Sequence, residues 1–131
     1  AYIPPYNLKT ADARAALPYQ LEYSQAVHAS AVANTFVASL FAKNYDVAFK
    51  LMEADRFHEP YRKELVPELD QIRELGKKHG ALATYLSGAG PTVMTVIDND
   101  NYGLFEQAVH DAGLKGKVVR LHPDVEGVKL I

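Results

Sequence analysis

The chain has 131 residues, with 14 Lys and Arg against 16 Asp and Glu and a formal charge of -2, which is the size of one domain that can bury its own core. Hydrophobic residues at 48% and charged residues at 23% are ordinary globular proportions; they exclude a disordered chain, and the charge gives no broad attraction for nucleic acid or an anionic membrane. With Cys at 0 there is neither a disulfide framework nor thiolate chemistry, and no run approaches the roughly 20 apolar residues of a bilayer span, so a soluble cytoplasmic chain that needs no metal staple is expected.

The opening "AYIPPY" reads as the end of a strand running into a proline turn, and a start at Ala1 suggests part of something longer. Thr10 can cap a short helix through Leu17, where Pro18 interrupts it. From Tyr19 to about Lys43 apolar and small residues recur at Tyr19, Tyr23, Ala26, Val27, Ser30, Ala33, Val37, Leu40 and Phe41, a helical stripe several turns long. Asp46 is the expected N-cap of the next helix, through Glu53 or Arg56, with Val47, Leu51 and Met52 buried. A further helix has Pro67 in its first turn, Leu69, Ile72 and Leu75 along its stripe, and Lys77, Lys78 and His79 before Gly80.

After Gly80 the period changes. Leu82 to Leu86 and Thr92 to Ile97 read as strands joined by the small-residue cluster Ser87-Gly88-Ala89-Gly90-Pro91. Asn99 or Asp100 caps a helix carrying Tyr102, Phe105, Val109 and Ala112, ended by Gly113; Lys117 to His122 alternates as a strand, and Val128 to Ile131 is a candidate for one more. No repeat or long linker divides the chain, so residues 1–131 are read as one domain. A block of helices followed by strand, loop, strand, helix and strand predicts an α+β domain, a ferredoxin-like split βαβ with a mainly antiparallel sheet and helices on one face.

Three stretches hold more polar and glycine residues than packing needs. In "LKTADARAALP" Arg14 lies one turn after Thr10, at the same end of a helix; a solvated surface arginine is the plain reading. In "DRFHEPYR" the residues Asp55, Arg56, His58, Glu59 and Arg62 crowd around Pro60, a helix breaker; a charged loop, with His58 as a cap and Arg62 paired to Glu59 or Glu64, accounts for them. An arginine fork, by contrast, binds a carboxylate through two parallel hydrogen bonds, so two converging arginines would make an anion site. The third stretch, "LSGAGPT", suits either a hairpin turn or a loop whose bare backbone N–H groups approach a ligand.

In this order, separated by helical segments, the three stretches resemble the C-terminal half of the homoserine kinases, a family within the GHMP superfamily of small-molecule kinases. The glycine stretch alone matches the superfamily; T-x-x-A-R-x-x-L-P and H-E-P-x-R narrow it, and the resemblance runs from "IPPY" to the last strand. It implies ATP-dependent phosphorylation of the side-chain hydroxyl of L-homoserine, on the way to threonine. It also implies that Arg14 and Arg62 hold the substrate's α-carboxylate, and that Ser87, Gly88, Ala89 and Gly90 support the phosphate-binding loop. The Gly-rich nucleotide loop of the P-x-x-x-G-L-G-S-S type and the acidic residue associated with Mg2+ belong to the family's N-terminal domain, and neither occurs here. ATP and Mg2+ would therefore be bound mainly outside this chain, with no catalytic or metal-binding residue within it.

Two other readings stay open. A regulatory module would use Arg14 and Arg62 to bind an amino-acid effector without catalysis. An interaction domain would use an uncovered apolar face to form a homodimer, and would show self-association without small-molecule affinity.

Overall fold

Tyr2–Ile3 (β1), Ala83–Leu86 (β2), Val93–Val96 (β3) and Lys117–Val118 (β4) form one sheet in the spatial order β2-β3-β1-β4 in the computed structural model, which describes residues 1–129. Every neighbouring pair is antiparallel: Tyr2 lies opposite both Val93 and Val118, and β2 meets β3 from Ala83 opposite Val96 to Leu86 opposite Val93. β1 and β2 therefore run parallel with β3 inserted between them, the split βαβ expected from the sequence. The helices are Thr10–Ala15 (α1), Tyr23–Phe41 (α2), Tyr45–Met52 (α3), Glu59–Arg62 (α4), Glu68–Lys78 (α5) and Asn99–Asp111 (α6), with a 3-10 turn over Lys63–Leu65.

The core lies between the sheet and the pair α5 and α6. Leu69 and Ile72 from α5 and Phe105 and Val109 from α6 pack with Tyr2, Val66, Leu86 and Val93. The spacing 69, 72 on α5 and 105, 109 on α6 sets each pair on one helical face, so both helices can bury a stripe against a pleated surface. Tyr2 reaches through this core to accept a hydrogen bond from the Gly116 N–H at 3.1 Å, and burial pushes its phenol pKa up. α5 starts directly after Pro67, with Glu68 and Asp70 in its first turn and Lys77 and Lys78 in its last, charges that oppose its dipole. Gly80 ends it at φ +78.

Several local expectations change. α1 begins at Thr10 without a side-chain cap and stops at Ala15, short of Leu17. α3 is capped by Asn44, whose Oδ1 accepts from the Val47 N–H at 3.3 Å, and Asp46 sits in its first turn; Ala48 is buried while Val47, Leu51 and Met52 are half-buried. α2 begins at Tyr23, not Tyr19, and turns the expected stripe outward: Phe41 is 87% and Tyr23 84% exposed, with Val27 and Val37 also exposed. The side of α2 that meets α3 is Ala29, Val32, Phe36 and Ser39. The last strand shortens to Lys117–Val118, residues 128 and 129 are irregular, and the rest of the proposed strand through Ile131 lies outside the described residues.

Candidate functional site

The second half of "DRFHEPYR", Glu59–Arg62, forms a helix where a loop was expected. Pro60 falls in the first turn of α4, where a missing N–H leaves no bond unmade, so it starts the helix instead of breaking it. The cap is Asp55. Its Oδ1 accepts from the Phe57 N–H at 2.9 Å, and its Oδ2 accepts from the N–H groups of His58 at 3.0 Å and Glu59 at 2.7 Å. Burial alone would raise the Asp55 carboxyl, but the N–H groups of Glu59 and Phe57, the His58 imidazole and the His58 N–H together hold it below the usual carboxylate range. His58, expected as the cap, occupies the cap position without a side-chain bond.

At the other end of α4, Arg62 is 8% exposed. Its Nε donates to the Ala13 carbonyl at 3.1 Å and its Nη1 to the Gly88 carbonyl at 3.0 Å. One guanidinium thus links the three stretches singled out in the sequence. The carboxylate partners expected for it are not used: Glu59 binds Arg73 and the Leu86 N–H, and among the described residues no carboxylate forms an ion pair with Arg62. A buried cation bonded only to carbonyls keeps its full charge, and its desolvation is incompletely offset. Two of five N–H donors are engaged, on Nε and Nη1, and since among the described residues no side-chain polar atom is buried without a partner, the unpartnered Nη2 retains some exposure.

"LSGAGPT" is a hairpin turn. The Ser87 N–H donates to the Thr92 carbonyl at 2.9 Å, extending the β2–β3 ladder, and the Gly90 N–H donates to Ser87 at 2.9 Å. Gly88 at φ +55 and Gly90 at φ +83 take the left-handed conformation that other residues avoid. At Gly90 a Cβ would also stand 3.3 Å from both Leu86 and Val66, whereas at Gly88 it would meet nothing. The turn is closely packed at Gly90 and open at Gly88.

A cavity of about 320 Å³ opens beside this junction, lined by Met52, Asp55, His58, Glu59, Arg62, Tyr85, Leu86 and Gly88. Arg14, Ser87, Ala89 and Gly90 are outside its lining; Arg14 is exposed on α1, adjacent in sequence to the Ala13 carbonyl that Arg62 grips. A second cavity of about 350 Å³ shares Met52, Asp55 and Tyr85 and runs between α2 and α3 along Val32, Phe36 and Leu51. Among the described residues no three His, Cys, Asp or Glu side chains converge as a metal site requires. Nor is any described helix long and apolar enough to cross a membrane.

The sequence reading passed over Glu53 and Arg73. Glu53 Oε1 accepts from the Thr84 N–H at 2.6 Å, and Arg73 reaches the Thr84 carbonyl through Nε at 3.2 Å and Nη2 at 3.1 Å. Arg73 was visible in principle: it follows the buried Leu69 by four and precedes the buried Gly76 by three, which sets a charged side chain on the packed side of α5.

Residues 36–113, more than half of the chain, match the family model described as GHMP kinases C terminal. The chain is 55% identical over all 131 residues to a homoserine kinase of Lactobacillus acidophilus and 57% identical over 128 residues to one of Limosilactobacillus fermentum. It covers 46% and 45% of those proteins, so it spans about half the length of the curated relatives it matches. Among solved structures, homoserine kinase from Cytophaga hutchinsonii superposes with a TM-score of 0.75 at 27% identity, covering 87% of this chain and 37% of that one. A putative homoserine kinase from Listeria monocytogenes gives a TM-score of 0.70 at 30% identity, with 90% of this chain and 38% of that one covered. The ferredoxin-like sheet and these matches agree: the chain belongs to the GHMP kinase C-terminal family.

Proposed function

We propose that the complete protein transfers the γ-phosphate of ATP to the side-chain hydroxyl of L-homoserine in the cytoplasm, and that this chain is the C-terminal domain holding the substrate's α-carboxylate. The observation that carries the reading is Arg62: a guanidinium 8% exposed, lining a cavity, bonded to two main-chain carbonyls and to no carboxylate among the described residues. An anion that enters this cavity meets a preset positive charge already largely stripped of water, which is where a charge-assisted bond is strongest. Arg14 is assigned the second guanidinium on the T-x-x-A-R-x-x-L-P motif alone; it stands exposed outside the cavity lining, on α1, which is tied to Arg62 through Ala13.

The glycine hairpin supports the same site from below, because the Gly88 carbonyl fixes Arg62 and the packing at Gly90 fixes the turn. ATP supplies the phosphoryl group and Mg2+ its charge neutralisation, and both are held mainly by an N-terminal domain. The residues of this chain bind and orient the amino acid. Positioning of that kind supplies a large part of phosphoryl-transfer catalysis, since the protein does little covalent chemistry.

The test is product identification. The complete gene product, incubated with ATP, Mg2+ and L-homoserine, should yield phosphohomoserine by mass spectrometry. Phosphorylation of mevalonate or galactose in preference to homoserine would refute the substrate assignment while leaving the family membership intact.

A further inference from the structure

β2 is an edge strand, and Thr84 and Leu86 turn their main-chain groups away from β3. An uncovered edge of this kind invites pairing with another chain. Here side chains take the place of a fifth strand: Glu53 accepts from the Thr84 N–H, Arg73 donates to the Thr84 carbonyl, and Glu59 Oε2 accepts from the Leu86 N–H at 2.9 Å. Arg73 and Glu59 are joined at 2.6 Å, with side-chain exposures of 17% and 12%. Both Glu59 oxygens are thereby engaged on the strand side.

Glu59 and Arg62 are three residues apart on α4, the spacing at which a helical acid and base ordinarily pair. They do not pair: Arg73 and the Leu86 N–H hold the two carboxylate oxygens. We propose that Arg73 is a positioning residue whose guanidinium keeps Glu59 off Arg62, so that Arg62 remains available to a carboxylate ligand in the cavity. The inference rests on the functional reading above for the identity of that ligand. Without Arg73, Glu59 Oε1 loses its partner in a poorly solvated place, and the nearest cation on its own helix is Arg62. An incoming carboxylate then competes with an internal one for the Arg62 guanidinium.

Two measurements on the complete enzyme decide it. In the structure of Arg73→Met, the Glu59 carboxylate should lie within about 4 Å of the Arg62 guanidinium, the ordinary ion-pair distance. A Glu59 that stays on the Leu86 N–H with Arg62 still on Gly88 overturns the proposal, whichever alcohol the enzyme phosphorylates. In kinetics, Arg73→Met should raise KM for homoserine about tenfold or more, as expected when a desolvated charge contact is lost, leave KM for ATP unchanged, and hardly affect an analogue with a neutral amide in place of the carboxylate. Adding Glu59→Gln to Arg73→Met should return KM for homoserine towards wild type, since no competing carboxylate remains. If homoserine and its neutral analogue suffer equally and the double variant shows no recovery, Arg73 is only a structural support. A wild-type enzyme that ignores homoserine refutes the functional reading alone, and the Glu59 position still decides this one.

Discussion

The Arg62 Nη1 donates to the carbonyl of Gly88 across 26 residues of sequence, at 3.0 Å. That bond ties Gly88, the one hairpin residue of Ser87 to Gly90 in the cavity wall, to the guanidinium that also reaches Ala13. Arg62→Ala should therefore lower stability by about 1.5–3 kcal/mol, the range for hydrogen bonds to a charged group. Arg62→Lys should recover little of it, since an ammonium cannot span two carbonyls as a planar fork does. Denaturant midpoints of the three proteins provide the comparison, and a lysine variant as stable as wild type would show that the fork is not needed.

The two loop glycines should separate. Gly88→Ala meets no neighbour and carries only the left-handed backbone penalty, about 1–2 kcal/mol. Gly90→Ala carries the same penalty and also presses on Leu86 and Val66 at 3.3 Å, so it should lose clearly more, and Gly90→Val more again. Thermal unfolding checks the order. Equal losses at the two positions would mean that packing at Gly90 contributes nothing.

Asp55 sets an acid limit on the α4 junction. Its folded pKa lies below the ordinary aspartate value of 3.8, so its stabilising contribution is fully present above that value and is lost as pH falls through the folded pKa. Asp55→Asn should be less stable than wild type at pH 7 by about 0.5–2 kcal/mol, the usual range for a lost cap. The gap should close below pH 3.8. Urea titrations at pH 7 and pH 3 measure it, and a gap that persists unchanged in acid would mean that the carboxylate charge is not what holds the loop.

Arg14 offers the opposite profile to Arg62. It is exposed, so Arg14→Ala should change stability by no more than about 0.5 kcal/mol in either direction. In the complete enzyme the same variant should raise KM for homoserine roughly tenfold, equivalent to about 1.4 kcal/mol, with KM for ATP unaltered. The purified 131-residue chain should by itself show no turnover with ATP, Mg2+ and homoserine, against kinase rates of roughly 1–100 per second.

How far the sequence could be read depended on whether local and tertiary signals agreed. α5 was legible because proline, apolar spacing, basic last turn and Gly80 all pointed the same way. The hairpin at Ser87 to Thr92 was legible because positive φ demands glycine. α4 was not: four residues are too few for a period, and Pro60 read as a breaker when Asp55 had already made it a helix start. The stripe on α2 was legible but its exposure was not, since apolar spacing identifies a face without saying what covers it. The three motif stretches meet at Arg62, but its expected pairing with Glu59 or Glu64 was not seen. Arg73, which takes Glu59 instead, is separated from it by 14 positions and belongs to another helix.

With Arg62 as the proposed carboxylate anchor of a homoserine-phosphorylating enzyme, substrate preference should depend on its guanidinium. The measurement is kcat/KM of complete wild type and Arg62→Ala for L-homoserine and for the analogue whose carboxylate is a neutral amide. Removing one partner of a buried charged contact costs on the order of 2–5 kcal/mol, and about 1.4 kcal/mol is tenfold. Wild type should therefore prefer homoserine by roughly two decades or more. Arg62→Ala should lose that preference by losing activity on homoserine, while its activity on the amide stays close to wild type. An Arg62→Ala enzyme that still prefers homoserine by the wild-type margin contradicts the account.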